Sequence, residues 1–452
     1  MNFSLVPTVP VKLVFVRCAF VAALLLSAAC RTGSNRPTDL IGSTAIPDSV
    51  MIRRDIETLA SEQFEGRRTG TPGNDSAAAF LAGRYAALGL LPAPDLATNC
   101  GAGCAAAYIR RFTATEPVRG GPPNQMPTQN LVGLIAGTDQ QLRNEYVVIG
   151  AHFDHLGRST VGALDPDHGS EIRNGADDNA SGSAAVLAVA RRFAKSPAKR
   201  PILIAHFSGE EEGLLGSAYL TEHPPVPTTQ MVAMLNFDMV GRLRDDKLIV
   251  YGLATAKEME SVLTKANETI GLKLSLVPDG TGPSDHSSFY LKDVPVLHFF
   301  TDVHADYHRA SDDADKINVA GAVRVVDLAE RAVRAIADAP NRLTFTKAPS
   351  TTVSRSPSAG NGAYFGSIPD MGSGDDTGMR LSGVSPGGPA EKAGLMADDL
   401  IVDFGGKPVK NIYDYTDVLG SFKPGDAVSV VVLRGANKER ITLQVTLSRR
   451  GG

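Results

Sequence analysis

The chain has 452 residues, of which 43% are hydrophobic and 21% are charged, a composition that fits globular folding and a length that favours more than one domain. The formal net charge of −4, without any cluster of Lys or Arg, argues against a general nucleic-acid-binding protein.

The N-terminal segment has the pattern of an export signal. Two basic residues precede an apolar run from Cys18 to Ala29, which is too short to cross a bilayer and ends in small residues. This pattern predicts a signal peptide over residues 1–29 and a flexible tether over residues 30–46. The segment LSAAC, which ends at Cys30, also resembles a bacterial lipobox, although Ser27 stands where Leu is usual.

We therefore expect an exported protein that is periplasmic or anchored to the outer membrane as a lipoprotein through Cys30. Plain secretion, with Cys30 incidental, is the alternative. Cys100 and Cys104 follow in the segment NCGAGC, and in an exported protein we expect a local disulfide between them. The chain has no second Cys pair that would complete a metal site with them.

Residues 47–340 are predicted to form one domain in which strands and helices alternate. The predicted helices and strands are, in chain order, helix Ala77–Leu88, strands Asn130–Ala136 and Tyr146–Ile149, helix Ser181–Phe193, strands Ile202–Phe207, Met231–Phe237 and Leu248–Tyr251, helix Lys257–Ile270, strand Val294–Phe300 and helix Asn318–Ala337. Near-continuous apolar strands alternating with helices indicate an α/β fold, a three-layer sandwich with a mostly parallel central sheet. Ligands of such folds bind beyond the carboxyl ends of the strands.

Five residues of metal-binding type stand at or near the ends of the apolar runs. They are His152, Asp177, Glu211, Asp238 and His308. Two divalent metal ions that share one bridging carboxylate need this set, because each ion also takes one further carboxylate and one imidazole. The neighbouring Glu210 is then free to act as a base. Singly, each motif has an ordinary structural explanation, such as the capping of a helix by the turn that contains Asp177.

Other polar residues have supporting or structural assignments. Asp154 shares a strand face with His152 and is expected to accept the second N–H of that imidazole, and Asp312 is expected to orient His308. Two histidines within apolar strands are predicted to pack in the core, and four are predicted to lie in loops or at the surface. The first are His206 and His298, and the second are His155, His168, His223 and His304.

The segments that carry these residues jointly resemble the dizinc aminopeptidase family, which includes secreted bacterial leucyl aminopeptidases and carboxypeptidase Q-like zinc peptidases. The resemblance runs from about Leu59 to Ala337 through the segments LASEQFEGRRTGTPGN, GAHFDHLG, GADDNASG, FSGEEEGLLGS, NFDMVG, SDHSSF and YHRASDD. It implies two zinc ions per chain, one held by His152 and Asp238 and the other by Glu211 and His308.

The resemblance also implies roles for the residues between and around the ions. Asp177 would bridge them, Glu210 would be the general base, and Tyr307 would stabilise the oxyanion. A cis peptide is expected between Asp177 and Asp178, with Asp178 supporting the ligands. His286 is a candidate residue of the substrate pocket.

The C-terminal part is predicted as a linker over residues 341–361, rich in Ser, Thr, Pro and Ala, and a small, mainly β domain over residues 362–452. The domain resembles a PDZ domain of bacterial periplasmic proteases. The segment that contains Phe365 and Gly366 matches the loop that binds a peptide C-terminus, and Asp398 stands where Gly is usual. A structural appendage without a ligand is the alternative.

The sequence thus predicts an exported metallo-exopeptidase that acts on peptides, most simply an aminopeptidase, since that activity dominates the resembling family. A dipeptidase or carboxypeptidase of the same family is the nearest alternative. A glutaminyl cyclase would use one zinc and would not need all five ligands. A non-catalytic peptide-binding protein would not need Glu210. No nucleic-acid partner is expected, and contact with a membrane is expected only through Cys30.

Overall fold

The computed structural model describes most of the chain after residue 45. The described residues are 46–95, 104–116, 123–160, 162–165, 168–169, 171–348, 363–369, 378–384, 387–410, 412–435 and 437–449. The predicted signal peptide, Cys30 and Cys100 lie outside them. Cys104, the one cysteine among the described residues, is disulfide-bonded. None of the helices in the described ranges is both long enough and apolar enough to cross a membrane.

All of the described residues belong to one compact unit, Ile46–Gly452. The elements before the predicted linker are, in chain order, α1 (Asp48–Leu59), α2 (Pro72–Ala87), β1 (Leu91–Pro92), β2 (Ile109–Glu116), β3 (Asn124–Ile135), β4 (Tyr146–His152), α3 (Gly182–Lys195), β5 (Ile202–Phe207), α4 (Leu215–Glu222), β6 (Met231–Phe237), β7 (Lys247–Tyr251), α5 (Met259–Asn267), β8 (Lys273–Val277), α6 (His286–Tyr290), β9 (Val296–Phe300) and α7 (Val319–Ala337).

Nine strands form one mixed sheet in the order β1-β3-β5-β4-β6-β9-β7-β8, with β2 also paired to β3. The central strands β5, β4, β6 and β9 pair in parallel, as do β7 and β8. Pairing is antiparallel at β3 and between β9 and β7. The predicted α/β fold is confirmed, and its parallel character resides in the centre of the sheet, where both faces are buried.

Helices cover both faces of the sheet and make the outer layers. The larger core lies between one face and helices α1, α2, α3, α5 and α7. A smaller core lies under the opposite face, where α4 and α6 contribute Leu220 and Phe289. Helix α7 shows why such a sequence folds this way: its apolar residues recur every three or four positions, and Val325, Leu328 and Ala332 are fully buried.

The parallel centre of the sheet brings the carboxyl ends of four strands to one edge. Strand β4 ends at His152, and β6 ends one residue before Asp238. Strand β5 runs into the turn that carries Glu210 and Glu211, and β9 runs into the loop that carries His308. Residues far apart in the sequence therefore meet there because parallel strands all end on the same side.

Contacts of this domain continue into the segment predicted as a linker. Phe345 pairs with Ala256 in an isolated β-bridge. The Ala348 amide donates to the Tyr290 hydroxyl at 2.9 Å. The hydroxyl and the amide of Thr344 both donate to the Glu258 carboxylate at 2.8 Å. The first eight residues of the predicted linker are thus packed onto the preceding domain.

The C-terminal part is a small, mainly β domain, as predicted. Its elements are β10 (Ala363–Tyr364), β11 (Ser367–Pro369), β12 (Met379–Val384), α8 (Pro389–Lys392), β13 (Leu400–Phe404), β14 (Lys407–Pro408), α9 (Ile412–Gly420), β15 (Ala427–Arg434), β16 (Glu439–Thr446) and β17 (Ser448–Arg449). The larger sheet has the order β11-β12-β13-β15-β16, with β14 on β13. Asp398 adopts φ 67°, so it takes the left-handed conformation that Gly usually supplies.

The predicted carboxylate-binding loop combines a buried ring with a left-handed glycine. Phe365 is buried against Phe404 and Tyr415, with ring centroids 5.0 and 6.1 Å away. Gly366 has φ 80°. The side chain of Phe365 therefore anchors the loop to the core.

The buried His206, in the centre of β5, should make the stability of the fold depend on pH. Its Nε2 lies 3.2 Å from the Ser183 carbonyl, which only accepts, so Nδ1 accepts from the Tyr85 hydroxyl at 2.6 Å. Burial lowers the pKa of His206 to about 4. An unfolded histidine titrates near pH ~6.5, so the unfolded state binds more protons between those values, and stability is lost as the pH falls through this window.

We expect the wild type to lose about 2–3 kcal/mol from this group between pH 7 and pH 4.5. The double variant Tyr85→Phe/His206→Leu should not lose it, so the stability difference between the two proteins should shrink by that amount. Urea unfolding at both pH values measures this, with the exposed His223→Gln as control. A stability difference that does not depend on pH would contradict a neutral, buried His206.

Candidate metal centre

One carboxylate at the sheet edge faces two imidazoles. Oδ1 of Asp178 lies 3.4 Å from Nε2 of His152, and Oδ2 of Asp178 lies 3.2 Å from Nε2 of His308. Asp178 belongs to the turn Ala176–Ser181, which precedes helix α3. The two oxygens of one side chain are thus directed to two different histidines, as a carboxylate between two cations requires.

Each histidine also meets a carboxylate of its own. Nε2 of His152 lies 3.3 Å from Oδ1 of Asp238, and Nε2 of His308 lies 3.1 Å from Oε2 of Glu211. Glu210 joins the first set: potential ligand atoms of His152, Glu210 and Asp238 lie within 4.8 Å of one another. The structure therefore brings together four of the five predicted ligands and the predicted base.

The fifth predicted ligand, Asp177, does not join them. Its Oδ1 accepts from the Gly241 amide at 2.7 Å and from the Ser181 hydroxyl at 2.9 Å, and its Oδ2 lies 3.1 Å from Nε2 of His304. The prediction that Asp177 lies between the two metal ions is wrong, because these partners hold its carboxylate away from His152.

Asp178, which was predicted to support the ligands, is the aspartate that faces both imidazoles, and Asp177 supports the turn. The cis peptide was predicted between Asp177 and Asp178, and the structure has it one residue later, between Asp178 and Asn179.

Asp154 supports the site by a contact different from the predicted one. Nδ1 of His152 lies 3.2 Å from the backbone carbonyl of Asp154 and 3.7 Å from its carboxylate. The carboxylate instead accepts from the amides of Glu210 and Glu211, at 3.3 and 3.4 Å, and from the Thr69 hydroxyl at 3.1 Å. Asp154 thus fixes the turn that carries the two glutamates.

Asp312 was predicted to orient His308, and this prediction is wrong. Its Oδ2 accepts from the amides of Asp177 and Asp178, at 2.9 and 3.1 Å, and so holds the turn that carries the Asp178 carboxylate. Nδ1 of His308 lies 2.9 Å from the Gly162 carbonyl instead. A backbone carbonyl therefore fixes the orientation of this imidazole.

His286 and Tyr307 differ in access to the site. His286 is fully buried and stacks on His298, with ring centroids 4.5 Å apart, so it has no surface with which to touch a substrate directly. Tyr307 is partly exposed and stacks on His308 at 3.9 Å. Burial and the carboxylates of Asp178 and Glu211 raise the pKa of Tyr307 well above 10, so its hydroxyl keeps its proton and can donate.

Sequence reasoning missed three buried residues beside the site. His155 and His304 were predicted in loops or at the surface, yet both are buried and contact carboxylates of the site. Arg67 is also buried. It donates to the carbonyls of Leu59, Phe153, Asn174 and Gly175 at 2.6–2.9 Å. Arg67 and His155 lie in two segments of the family resemblance, LASEQFEGRRTGTPGN and GAHFDHLG, and His304 lies in none of them. The predicted core positions of His206 and His298 are confirmed.

The electrostatics of the site separate two neighbouring glutamates. Burial, with smaller effects of Glu211 and Asp238, raises the pKa of Glu210 well above its usual value. Burial acts in the same direction on Glu211, but His308 and His155 outweigh it and lower the pKa of Glu211 well below its usual value. One turn therefore carries a strong proton acceptor beside a carboxylate that stays ionised.

The donor set fits zinc. Four acidic side chains and two imidazoles at this edge are buried or nearly so, a concentration of charge that a protein tolerates only with compensating cations. Imidazole nitrogens and carboxylate oxygens are ligands that zinc takes in proteins, and cobalt or manganese can use the same groups.

Two parts of the chain match known protein families. Residues 130–333 match the model of the family described as "Peptidase family M28", and residues 368–445 match that of the PDZ domain. The chain is 24% identical over 307 residues to leupeptin-inactivating enzyme 1 of Streptomyces exfoliatus, covering 66% of this chain and 59% of that one. It is 33% identical over 132 residues to a "Probable zinc metalloprotease" of Leptosphaeria maculans, covering 29% of each chain. The chain spans less than two thirds of the length of these curated relatives.

Solved structures share the fold. A leucine aminopeptidase precursor of Bacteroides thetaiotaomicron has 18% identity and a TM-score of 0.50, covering 64% of this chain and 98% of that one. A glutaminyl cyclase of Bacteroides thetaiotaomicron has 17% identity and a TM-score of 0.51, covering 63% of this chain and 97% of that one. The names of these two proteins state different activities, so the fold alone does not select one of them.

The stretch that matches the peptidase family, residues 130–333, contains both imidazoles, the Asp178 carboxylate that faces them and the paired glutamates of the site. The chain thus carries a domain of peptidase family M28, followed by a C-terminal PDZ domain.

Proposed function

We propose that this chain is an exported metallo-exopeptidase that holds two zinc ions and acts as an aminopeptidase. The carboxylate of Asp178 carries the proposal, because its two oxygens face two imidazoles that each have a further carboxylate partner. The family match supports a zinc metallopeptidase. We propose in addition that the chain binds two ions and that it is an aminopeptidase.

The chain's own side chains divide into two sets around that carboxylate. His152 and Asp238 would hold one ion and His308 and Glu211 the other, with Asp178 common to both. When bound, such ions polarise a substrate carbonyl and lower the pKa of a water that attacks it.

Glu210 has the position and the proton affinity of a general base. It lies beside His152 and Asp238 but is not needed as a ligand, since that set already has the carboxylates of Asp238 and Asp178. Its raised pKa lets it take a proton and pass it to the leaving amine. Tyr307, whose hydroxyl stays protonated, is the candidate donor to the developing oxyanion.

The alternatives fit the site less well. A non-catalytic peptide-binding domain has no need for a buried base beside two complete ligand sets. A cyclase with one zinc has no need for both His152 with Asp238 and His308 with Glu211. A dipeptidase or carboxypeptidase would use the same centre, and only the substrate distinguishes it from an aminopeptidase.

We also propose that the protein is exported and that its second domain binds peptides. The N-terminal pattern supports export to the periplasm or outer membrane with a lipid on Cys30, and Cys30→Ala should then move the protein from the membrane to the soluble fraction. The PDZ match and the left-handed Gly366 support binding of a peptide C-terminus. Labelled peptides with a free C-terminus should bind more tightly than their amidated forms, as measured by fluorescence polarisation. Equal affinities would refute this binding mode.

Peptides with blocked ends distinguish an aminopeptidase from a carboxypeptidase. We expect hydrolysis of peptides with a free amino terminus, no hydrolysis of their N-acetylated forms, and little effect of C-terminal amidation. Treatment with a chelator should abolish turnover, and added zinc should restore it. Mass spectrometry of the products measures all three. Cleavage of N-acetylated peptides would contradict aminopeptidase action, and cleavage that requires a free C-terminus would favour the carboxypeptidase.

Replacing Glu210 by Gln removes the base and leaves a side chain of the same size. We expect kcat to fall by about 10²–10⁴-fold, because general base catalysis typically contributes that much. The zinc content, measured by mass spectrometry of the metal, should stay at two per chain. Glu222→Gln, on the exposed end of α4, is the matched control and should not change kcat. A Glu210→Gln variant that turns over at the wild-type rate would remove Glu210 from the mechanism.

Asn substitutions at the two neighbouring aspartates separate the bridging role from the supporting role. We expect Asp178→Asn to lose zinc to below one ion per chain after dialysis, because both ions share this carboxylate. Asp177→Asn should retain about two ions, because its partners are Gly241, Ser181 and His304. Loss of zinc from Asp177→Asn together with retention in Asp178→Asn would restore the assignment made from the sequence.

A further inference from the structure

We propose that His155 is a positioning residue for the second metal-binding set: its Nδ1–H donates to Oε1 of Glu211 and leaves Oε2 for the ion beside His308. The proposal rests on the proposed function, because it needs a metal ion at Glu211 and His308. His155 would then determine how tightly the ion is held, although it is not one of the five proposed ligands.

The contacts divide the Glu211 carboxylate between two imidazoles. Nδ1 of His155 lies 2.8 Å from Oε1, and Nε2 of His308 lies 3.1 Å from Oε2. Nδ1 of His155 is 3.7 Å from Oδ2 of Asp178, beyond hydrogen-bond distance, so its partner is Glu211 alone. The two glutamate oxygens thus have separate tasks.

The surroundings of the other ring nitrogen, Nε2, indicate which tautomer His155 adopts. Nε2 is buried and has no hydrogen-bond partner among the residues that the structure describes. A neutral imidazole has one N–H, and an unpaired buried N–H is costly, whereas the same proton on Nδ1 is paired with a carboxylate. The Nδ1–H tautomer follows, and this nitrogen is then a donor to Glu211 and not a metal ligand.

Close packing fixes the ring in this orientation. A Cβ on Gly175 would lie 2.4 Å from Cγ and 2.5 Å from Cδ2 of His155, so the ring lies directly against the glycine backbone. On another side the ring meets His308 edge to face, with centroids 5.7 Å apart. His155 cannot turn away from Glu211 without a shift of the turn that carries the bridging carboxylate.

The first metal-binding set has a matching arrangement. Oδ1 of Asp238 faces His152, and Oδ2 accepts from the Ser284 hydroxyl at 2.7 Å. Each non-bridging carboxylate therefore presents one oxygen to an imidazole ligand and has the other held by a donor of the chain. The donors are a hydroxyl for Asp238 and an imidazole for Glu211, so the two sets can be weakened separately.

The test measures zinc affinity in three variants of the full chain. His155→Phe keeps a ring without a donor, His155→Asn keeps an N–H near the position of Nδ1, and Ser284→Ala removes the donor of the other set. Competition with a chelator of known affinity gives the dissociation constant of each zinc equivalent. We expect His155→Phe to weaken one equivalent by about 10–100-fold, His155→Asn to weaken it by less than about 5-fold, and Ser284→Ala to weaken the other equivalent.

Each outcome separates this proposal from the proposed function. A wild type that binds fewer than two zinc ions refutes the two-zinc centre itself. A wild type that binds two, with His155→Phe binding both as tightly, overturns the role of His155 alone. Equal weakening in His155→Phe and His155→Asn, with a changed absorption band in the cobalt-loaded variants, would make His155 a ligand and also overturn the proposal. If His155→Phe does not fold, judged by circular dichroism, His155→Ala takes its place.

Discussion

The structure depends on burying several carboxylates together where four parallel strands end. Burial of an unpaired charge is costly, so each acid needs a fixed partner. Backbone amides supply many of them: Asp154 accepts from the turn of the two glutamates, Asp312 from the turn of Asp177 and Asp178, and Asp177 from Gly241. These bonds join segments more than fifty residues apart and so position the carboxylates of Asp178, Asp238 and Glu211. The negative charge of these three meets the imidazoles of His152 and His308 and is suited to metal ions.

The same burial gives neighbouring residues different chemistry. Glu210 and Glu211 share one turn, yet the pKa of the first is raised and that of the second is lowered, because only Glu211 meets His308 and His155. One residue type thereby supplies a carboxyl group of raised pKa and a carboxylate of lowered pKa in the same turn. Pairs of titratable groups whose surroundings move their pKa values apart are typical of catalytic sites. The pKa values of this turn and the match to a peptidase family therefore point to the same place in the chain.

The sequence predicted the buried elements well and the exposed ones poorly. Strands β5 and β6 were predicted with their observed bounds, since continuous apolar runs are typical of strands buried on both faces. Strand β2 was missed because its sequence, IRRFTATE, mixes charges with apolar residues, and it is a strand because it pairs with β3 along eight residues. Helix α1 was missed because its apolar residues are separated by charged ones that ion pairs with other helices partly compensate.

The sequence by itself determined the residue types of the site, their order at the strand ends and the order of the two domains, because these follow from local composition and motif. Only the tertiary structure decided which of two adjacent aspartates faces the imidazoles, since Gly241, Ser181 and His304 hold Asp177. It likewise decided that His155 is buried against Glu211. In a non-helical turn the direction of a side chain is set by partners distant in the chain, and local sequence does not contain them.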